Sequence, residues 1–107
     1  MLVSLAGRAQ GYGGAMAIIV TDSPDLHRFE ARLDGELAGY LEYQKSGDTW
    51  SLNHAFTFPH LRSRGVAAEV TRYALDAADE AGVTVRPICP FVADYIAANP
   101  RYAALTR

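Results

Sequence analysis

The chain has 107 residues and a mass of 11.6 kDa, the size of one compact domain. Half of its residues are hydrophobic and 21% are charged, which is typical of a globular protein. Its net charge is −2, so the chain lacks the excess of basic residues that is typical of a nucleic-acid-binding protein. Its one cysteine excludes an internal disulfide and a multi-cysteine zinc site. No apolar run approaches the roughly 20 residues of a membrane span. We therefore expect a small, soluble, cytoplasmic domain that binds neither nucleic acid nor membrane.

Residues 1–16 differ in composition from the rest of the chain. They contain one charged residue, Arg8, and four glycines. The apolar stretch before Arg8 is too short for a signal peptide, and no basic residue precedes it. We interpret residues 1–16 as a flexible leader and residues 17–107 as the domain, with Met16 as an alternative start.

Four segments with strand character follow the leader, and two turn signals separate the later ones. Asp34-Gly35 is a strong signal for a two-residue hairpin, and a Ser-Gly-Asp turn at 46–48 precedes the fourth segment. A loop is predicted at 21–24, after the first segment. The pattern predicts an antiparallel meander of strands at 17–20, 27–33, 36–44 and 49–58.

After Pro59 the apolar residues change to the spacing of a helix. The helix is predicted to span 66–81, with Gly82 as its C-cap. A short strand at 83–89 and a second helix at 91–98 follow, with a last turn at 101–105. The order β-β-β-β-α-β-α predicts an α+β domain. The predicted buried face of the first helix consists of Val66, Val70, Tyr73, Ala74, Ala77 and Ala81.

The segment between the fourth strand and the first helix has the chemistry of an anion site. Its order, Arg62-x-x-Gly65-x-Ala67, places small residues where the first N–H groups of a helix lack intrahelical partners. Those groups and the helix dipole favour phosphate, and Arg62 and Arg64 would add charge-assisted hydrogen bonds. The alternative interpretation is an ordinary strand-to-helix turn with two solvated arginines.

In this position the pattern Arg-x-x-Gly-x-Ala resembles the acetyl-CoA pyrophosphate loop of the GNAT superfamily of acetyltransferases. The resemblance is closer to a branch of short, single-domain N-acetyltransferase-like proteins, and it extends from Phe29 to Leu105. Ser63 and Ala55 depart from the branch, which usually has glycine and threonine there. The matching pieces are Phe29-Glu30, Leu33-Asp34-Gly35-Glu36-Leu37-Ala38, Tyr40-Leu41-Glu42-Tyr43, His54, Pro59-His60-Leu61-Arg62, Val85-Arg86-Pro87-Ile88-Cys89-Pro90-Phe91-Val92, Tyr95-Ile96 and Asn99-Pro100-Arg101-Tyr102.

The resemblance implies a reduced GNAT-like fold with acetyl-CoA as co-substrate and no metal. A serine at position 63 still offers its N–H to a phosphate, although a positive φ there would be strained. Tyr95 is not assigned as a general acid, because Ile96 is nearer the usual position of that tyrosine. The implied cofactor-binding residues are Leu61, Arg62, Ser63, Arg64, Gly65, Val66, Ala67 and Tyr95.

Two residues are candidates for the chemistry, and each also has a structural explanation. Strand alternation places His54 on the face of Trp50 and Leu52, where it would be either a hydrogen-bonded core histidine or a base with a near-neutral pKa. Cys89 is either a small buried hydrophobe or, as the resemblance implies, a thiol beside the thioester that accepts the acetyl group. His54 and Cys89 would then form a base–nucleophile pair.

These observations favour an N-acetyltransferase that moves an acetyl group from acetyl-CoA to an amine. One alternative is a non-catalytic module that binds or senses acyl-CoA, and another is a protein-interaction domain in which the two arginines meet an acidic partner. The short chain leaves little to wall off an acceptor pocket. An exposed acceptor site suits a protein or peptide amine, or a homodimer in which a second subunit completes the pocket.

Overall fold

A computed structural model describes residues 17–107 of the chain, and the predicted leader at 1–16 lies outside them. Five strands form one sheet in the order β1-β2-β3-β4-β5. Three longer helical segments accompany the sheet, and two 3-10 turns lie at Pro24–Leu26 and Pro59–Leu61. The elements are β1 (Ile18–Ser23), β2 (Arg28–Leu33), β3 (Glu36–Ser46), β4 (Thr49–Thr57), α1 (Val66–Ala81), β5 (Thr84–Pro87), α2 (Pro90–Ala98) and a 3-10 helix (Pro100–Thr106).

The strands confirm the predicted mixed α and β architecture. β1 to β4 pair as an antiparallel meander, and α1 then crosses over so that β5 pairs with β4 in parallel. The loop predicted at 21–24 is wrong for its first three residues. β1 continues to Ser23 because Thr21, Asp22 and Ser23 pair with the first residues of β2, and their polar composition gave no sign of that partner.

α1 has the predicted bounds, but its buried face is rotated from the predicted one. Thr71, Leu75 and Ala78 are fully buried, whereas Tyr73 is 38% exposed. The helix packs against β1 to β4 and also against α2 and the C-terminal 3-10 helix. Burial therefore extends to a side of α1 that a single-stripe pattern does not mark. Within residues 17–107, no helix is both long and apolar enough to cross a membrane.

The buried side chains of the sheet and the helices form one core. Leu41, Leu52 and Val70 are fully buried there, and Phe29 contacts the ring of Tyr73 on α1. Residues that alternate with these core residues lie on the opposite face of the sheet, here called the outer face. On β2, β3 and β4 the outer face carries Arg28, Glu30, Arg32, Tyr40, Glu42, His54 and Phe56.

Candidate functional site

β4 has two halves with different neighbours. The first half, Thr49 to Leu52, pairs with Thr84 to Pro87 of β5, and the N–H of Cys89 donates to the carbonyl oxygen of Leu52 at 2.9 Å. Beyond Leu52, no described strand pairs with this side of β4. Residues 54–57 therefore border an open sheet edge, and those of their N–H and C=O groups that point away from β3 face an extended ligand placed there.

A cavity of about 530 Å³ joins this open edge to the amino terminus of α1. It contains six of the ten predicted site residues, which come from β4, the 61–67 loop and the first turn of α1. Leu61, Arg64, Cys89 and Tyr95 are not among its lining residues. The cavity is lined by His54, Ala55, Phe56, Thr57, Arg62, Ser63, Gly65, Val66, Ala67, Ala68 and Phe91.

The loop before α1 has the backbone geometry of an anion cradle. Ser63 and Gly65 have φ angles of 65° and 81°, both in the left-handed region that favours glycine. Gly65 is the N-cap of α1, and the N–H groups of the first turn have no intrahelical partner. The Arg62 side chain donates from Nε to the Thr57 carbonyl oxygen at 3.3 Å, so the loop is tied to the end of β4. Donors, helix dipole and guanidinium all favour a phosphate group.

A β-bulge in β4 determines where His54 points. Tyr43 pairs with Leu52 and Glu42 pairs with His54, so Asn53 is an extra residue opposite β3. Leu52 stays in the core, and His54 lies on the outer face with Glu42 and is exposed. The prediction that His54 shares the face of Trp50 and Leu52 is wrong, because strict alternation does not hold across a bulge.

Glu42 is not among the site residues predicted from the sequence. The register places Glu42 directly across from His54, beside the cross-strand pair of Tyr40 and Phe56, whose ring centroids are 5.4 Å apart. One signal could have indicated this arrangement. The apolar residues Leu52 and Ala55 enclose two consecutive polar residues, and this spacing breaks the period of a strand.

Glu30 on the outer face is held by two arginines. Arg28 contacts one carboxylate oxygen at 2.8 Å and Arg32 contacts the other at 3.2 Å, while the Glu30 side chain is only 7% exposed. The hydrogen bond from Arg28 lowers the pKa of Glu30, and the nearby positive charges act in the same direction against the effect of burial. Glu30 is therefore a structural carboxylate that stays ionised at neutral pH.

Cys89 lies in the core and Tyr95 packs against the core, and neither residue lines the cavity. Cys89 is 5% exposed at the N-cap of α2, and Tyr95 is half-buried with its ring centroid 6.1 Å from that of Tyr102. No hydrogen bond joins His54 to Cys89 among the described residues. The roles predicted for Cys89 and Tyr95 stay predictions. Residues 17–107 contain no group of three or more His, Cys, Asp or Glu side chains arranged to hold a metal ion.

A comparison with known families tests the resemblance that the sequence indicates. A family profile described as GCN5-related N-acetyl-transferase matches residues 28–105. The chain belongs to this family, because the match covers more than half of it.

One solved structure with a similar fold is ribosomal-protein-alanine N-acetyltransferase from Brucella melitensis biovar Abortus 2308. The TM-score is 0.54 at 18% identity, over 75% of this chain and 60% of that one. At this identity the likeness shows the fold alone, and this chain spans about 60% of the length of that protein. A search of curated proteins found no match.

Proposed function

We propose that this protein is an N-acetyltransferase that uses acetyl-CoA to acetylate an amine. The observation that carries the proposal is the cavity joining the α1 amino terminus to the open edge of β4. It brings phosphate-binding backbone, a guanidinium and an exposed imidazole to one place in a member of an acetyltransferase family.

The residues present fit acetyl-CoA in two respects. The left-handed loop at Ser63 and Gly65 and the free N–H groups of the first turn of α1 would hold the pyrophosphate, with Arg62 beside them. The unpaired edge at 54–57 would hydrogen-bond the amide groups of the pantetheine arm as an added strand does. Leu61, Arg64 and Tyr95 lie outside the cavity lining and are secondary candidates.

Acetyl-CoA supplies an activated thioester, so transfer to an ammonium group forms a C–N bond, breaks a C–S bond and leaves one proton on the CoA thiol and one for solvent. His54 borders the cavity and makes no hydrogen bond within the described part of the chain. A neutral imidazole has one nitrogen without a proton, and this nitrogen can accept a proton from the amine. In this proposal His54 is the general base.

A covalent route through Cys89 is a second version of the same reaction. The buried position of Cys89 and its absence from the cavity lining favour direct transfer instead. We therefore expect Cys89→Ala to retain more than half of the wild-type turnover. Loss of turnover together with loss of a 42 Da acetyl adduct in intact-mass spectra would establish the covalent route, since one acetyl group replaces one hydrogen.

Acetyl-CoA binding and turnover test the proposal separately. Isothermal titration measures the acetyl-CoA Kd of the wild type, Arg62→Ala, His54→Gln and the control Arg86→Ala, which removes an exposed arginine outside the cavity. We expect Arg62→Ala to weaken binding about tenfold, the size of one charge-assisted hydrogen bond. Arg86→Ala and His54→Gln are expected to stay within about twofold of the wild-type Kd.

Thiol release with a set of amines measures turnover in the same proteins. We expect His54→Gln to lower kcat about a hundredfold, which is the usual contribution of a general base. Binding without release of CoA, over the whole set of amines, would favour the non-catalytic acyl-CoA module. Absence of acetyl-CoA binding at millimolar concentration contradicts both functions.

A further inference from the structure

His54 stands between two features of the outer face. On one side is Glu42, its partner in the pairing of β3 with β4, and on the other is the open edge that borders the cavity. Side chains directly across an antiparallel pair have Cβ atoms about 5 Å apart. A group that contacts both His54 and Glu42 therefore lies at the mouth of the proposed acetyl-CoA cavity.

Glu42 is an uncompensated carboxylate. Glu30 binds Arg28 and Arg32, and Glu36 lies 2.9 Å from His60. Within residues 17–107, half-buried Glu42 has neither an ion pair nor a hydrogen bond.

Arg28 is the cross-strand neighbour of Glu42 on its other side, but its guanidinium is already engaged. It contacts Glu30 and lies 4.3 Å from the centre of the Tyr40 ring. The negative charge of Glu42 thus remains available to a cation that comes from outside the described chain. This charge stands beside the imidazole that would act as base.

We propose that Glu42 binds the acceptor and selects amines that arrive as alkylammonium cations. This inference rests on the proposed acetyl transfer. The carboxylate of Glu42 accepts charge-assisted hydrogen bonds from the ammonium group, and the rings of Tyr40 and Phe56 contact its alkyl stem. One N–H bond of the ammonium then breaks, and its proton forms an N–H bond on His54, leaving a neutral amine as the nucleophile.

The proposal separates two classes of acceptor by charge. An alkylamine such as a lysine side chain is protonated at neutral pH, so the Glu42 carboxylate strengthens its binding. An arylamine is neutral at the same pH and gains nothing from a carboxylate. Benzylamine and aniline differ by one methylene group and belong to the two classes, so they are a matched pair of probes.

The experiment compares the wild-type chain, Glu42→Gln and the control Glu80→Gln by steady-state CoA release with benzylamine and aniline. Glu80 is an exposed residue near the far end of α1, about 20 Å along the helix from the loop, and its replacement removes the same charge. We expect the wild type to prefer benzylamine in kcat/KM. In Glu42→Gln this preference falls about tenfold, through a higher KM for benzylamine.

Two further measurements separate a binding role from a structural one. The Kd of acetyl-CoA stays within about twofold in both variants, and Glu42→Asp retains part of the preference because it keeps the charge. The proposal is overturned if Glu42→Gln and Glu80→Gln have the same preference, or if the protein turns over acetyl-CoA but acetylates no alkylamine. Failure of the wild type to bind acetyl-CoA, in contrast, removes the proposed function itself.

Discussion

Ser63, in the loop before α1, lines the cavity and also has a strained backbone conformation. Ser63 has a left-handed backbone at the position where the resembling proteins usually have glycine. The Cβ of an L-residue in this conformation costs roughly 1–2 kcal/mol. The loop keeps this conformation because Pro59–Leu61 and α1 fix its two ends, and because Arg62 bonds to Thr57.

Ser63→Gly is expected to stabilise the protein. Glycine relieves the left-handed strain but loses more entropy on folding, so the expected gain is about 0.5–1 kcal/mol in the free energy of unfolding. Urea unfolding at neutral pH measures this gain. Ser51→Gly in β4 is the control, because Ser51 has no positive φ, and it should lower stability by about 0.5–1 kcal/mol. A destabilised Ser63→Gly would contradict the strain argument.

At the scale of elements, Gly39 determines how closely β3, β4 and α1 approach each other. A Cβ on Gly39 would collide with the carbonyl oxygen of Phe56 and would lie 3.1 Å from Cγ1 of Val66. The nearest contact is with the backbone of β4, which cannot move without breaking its pairing with β3. The start of α1, and with it the cavity, depends on this close contact.

Gly39→Ala is therefore expected to lower the free energy of unfolding by about 2–3 kcal/mol, since an added methyl group overpacks the contact. Gly47→Ala is the matched control. Its Cβ would meet nothing within 4 Å, although its φ of 59° leaves a cost of about 1 kcal/mol. Thermal unfolding of the two variants measures the difference. Equal loss in both would show that the contact at Gly39 does not matter.

The elements also show what the sequence was able to predict. The bounds of α1 and the β2–β3 hairpin were predicted because they depend on local signals, namely helical periodicity, a C-cap glycine and Asp34-Gly35. The extension of β1, the rotated face of α1 and the bulge at Asn53 depend on partner elements far along the chain. The pairing of Glu42 with His54 depends on the bulge, and the position of Cys89 in the core depends on α2. Local periodicity contains none of this information.

At the scale of the whole molecule, a hydrogen bond between side chains connects the C-terminal 3-10 helix to α1. The hydroxyl of Tyr102 donates to Asp76 Oδ1 at 2.7 Å, and Arg72 donates to the other carboxylate oxygen at 3.0 Å. Burial, together with the hydrogen bond to Asp76, raises the pKa of Tyr102 to about 12 from an ordinary value near 10. Asp76 thus connects the end of the described chain to the helix that begins at the cavity.

The raised pKa of Tyr102 predicts a loss of stability in alkali. Between pH 10 and 12 the unfolded chain ionises this tyrosine while the folded chain keeps it neutral, so the free energy of unfolding falls as pH rises. Tyr102→Phe should cost about 1–2 kcal/mol at pH 7, where the hydrogen bond to Asp76 is lost. Above pH 10 the stability of this variant should fall less steeply than that of the wild type.

Chemical unfolding at pH 7 and at several values above pH 9 measures both effects. The control is Tyr73→Phe, since Tyr73 is 38% exposed and its hydroxyl has no partner among the described residues. This control should change stability at pH 7 by less than about 0.5 kcal/mol. Parallel pH curves for the wild type and Tyr102→Phe would contradict the assignment.

The bulge at Asn53 shapes the open edge of β4 but is not needed for the pairing of β4 with β3 or for the core. Without Asn53, β4 would alternate regularly, with Leu52 and Ala55 still in the core and His54 still across from Glu42. The strand would lose the bend that a bulge imposes, and we expect its second half to close toward β5. Deletion of Asn53 should therefore leave a folded protein with a melting temperature near that of the wild type, while isothermal titration should show weaker acetyl-CoA binding. Asn53 would then contribute to acetyl-CoA binding without contributing to the stability of the fold.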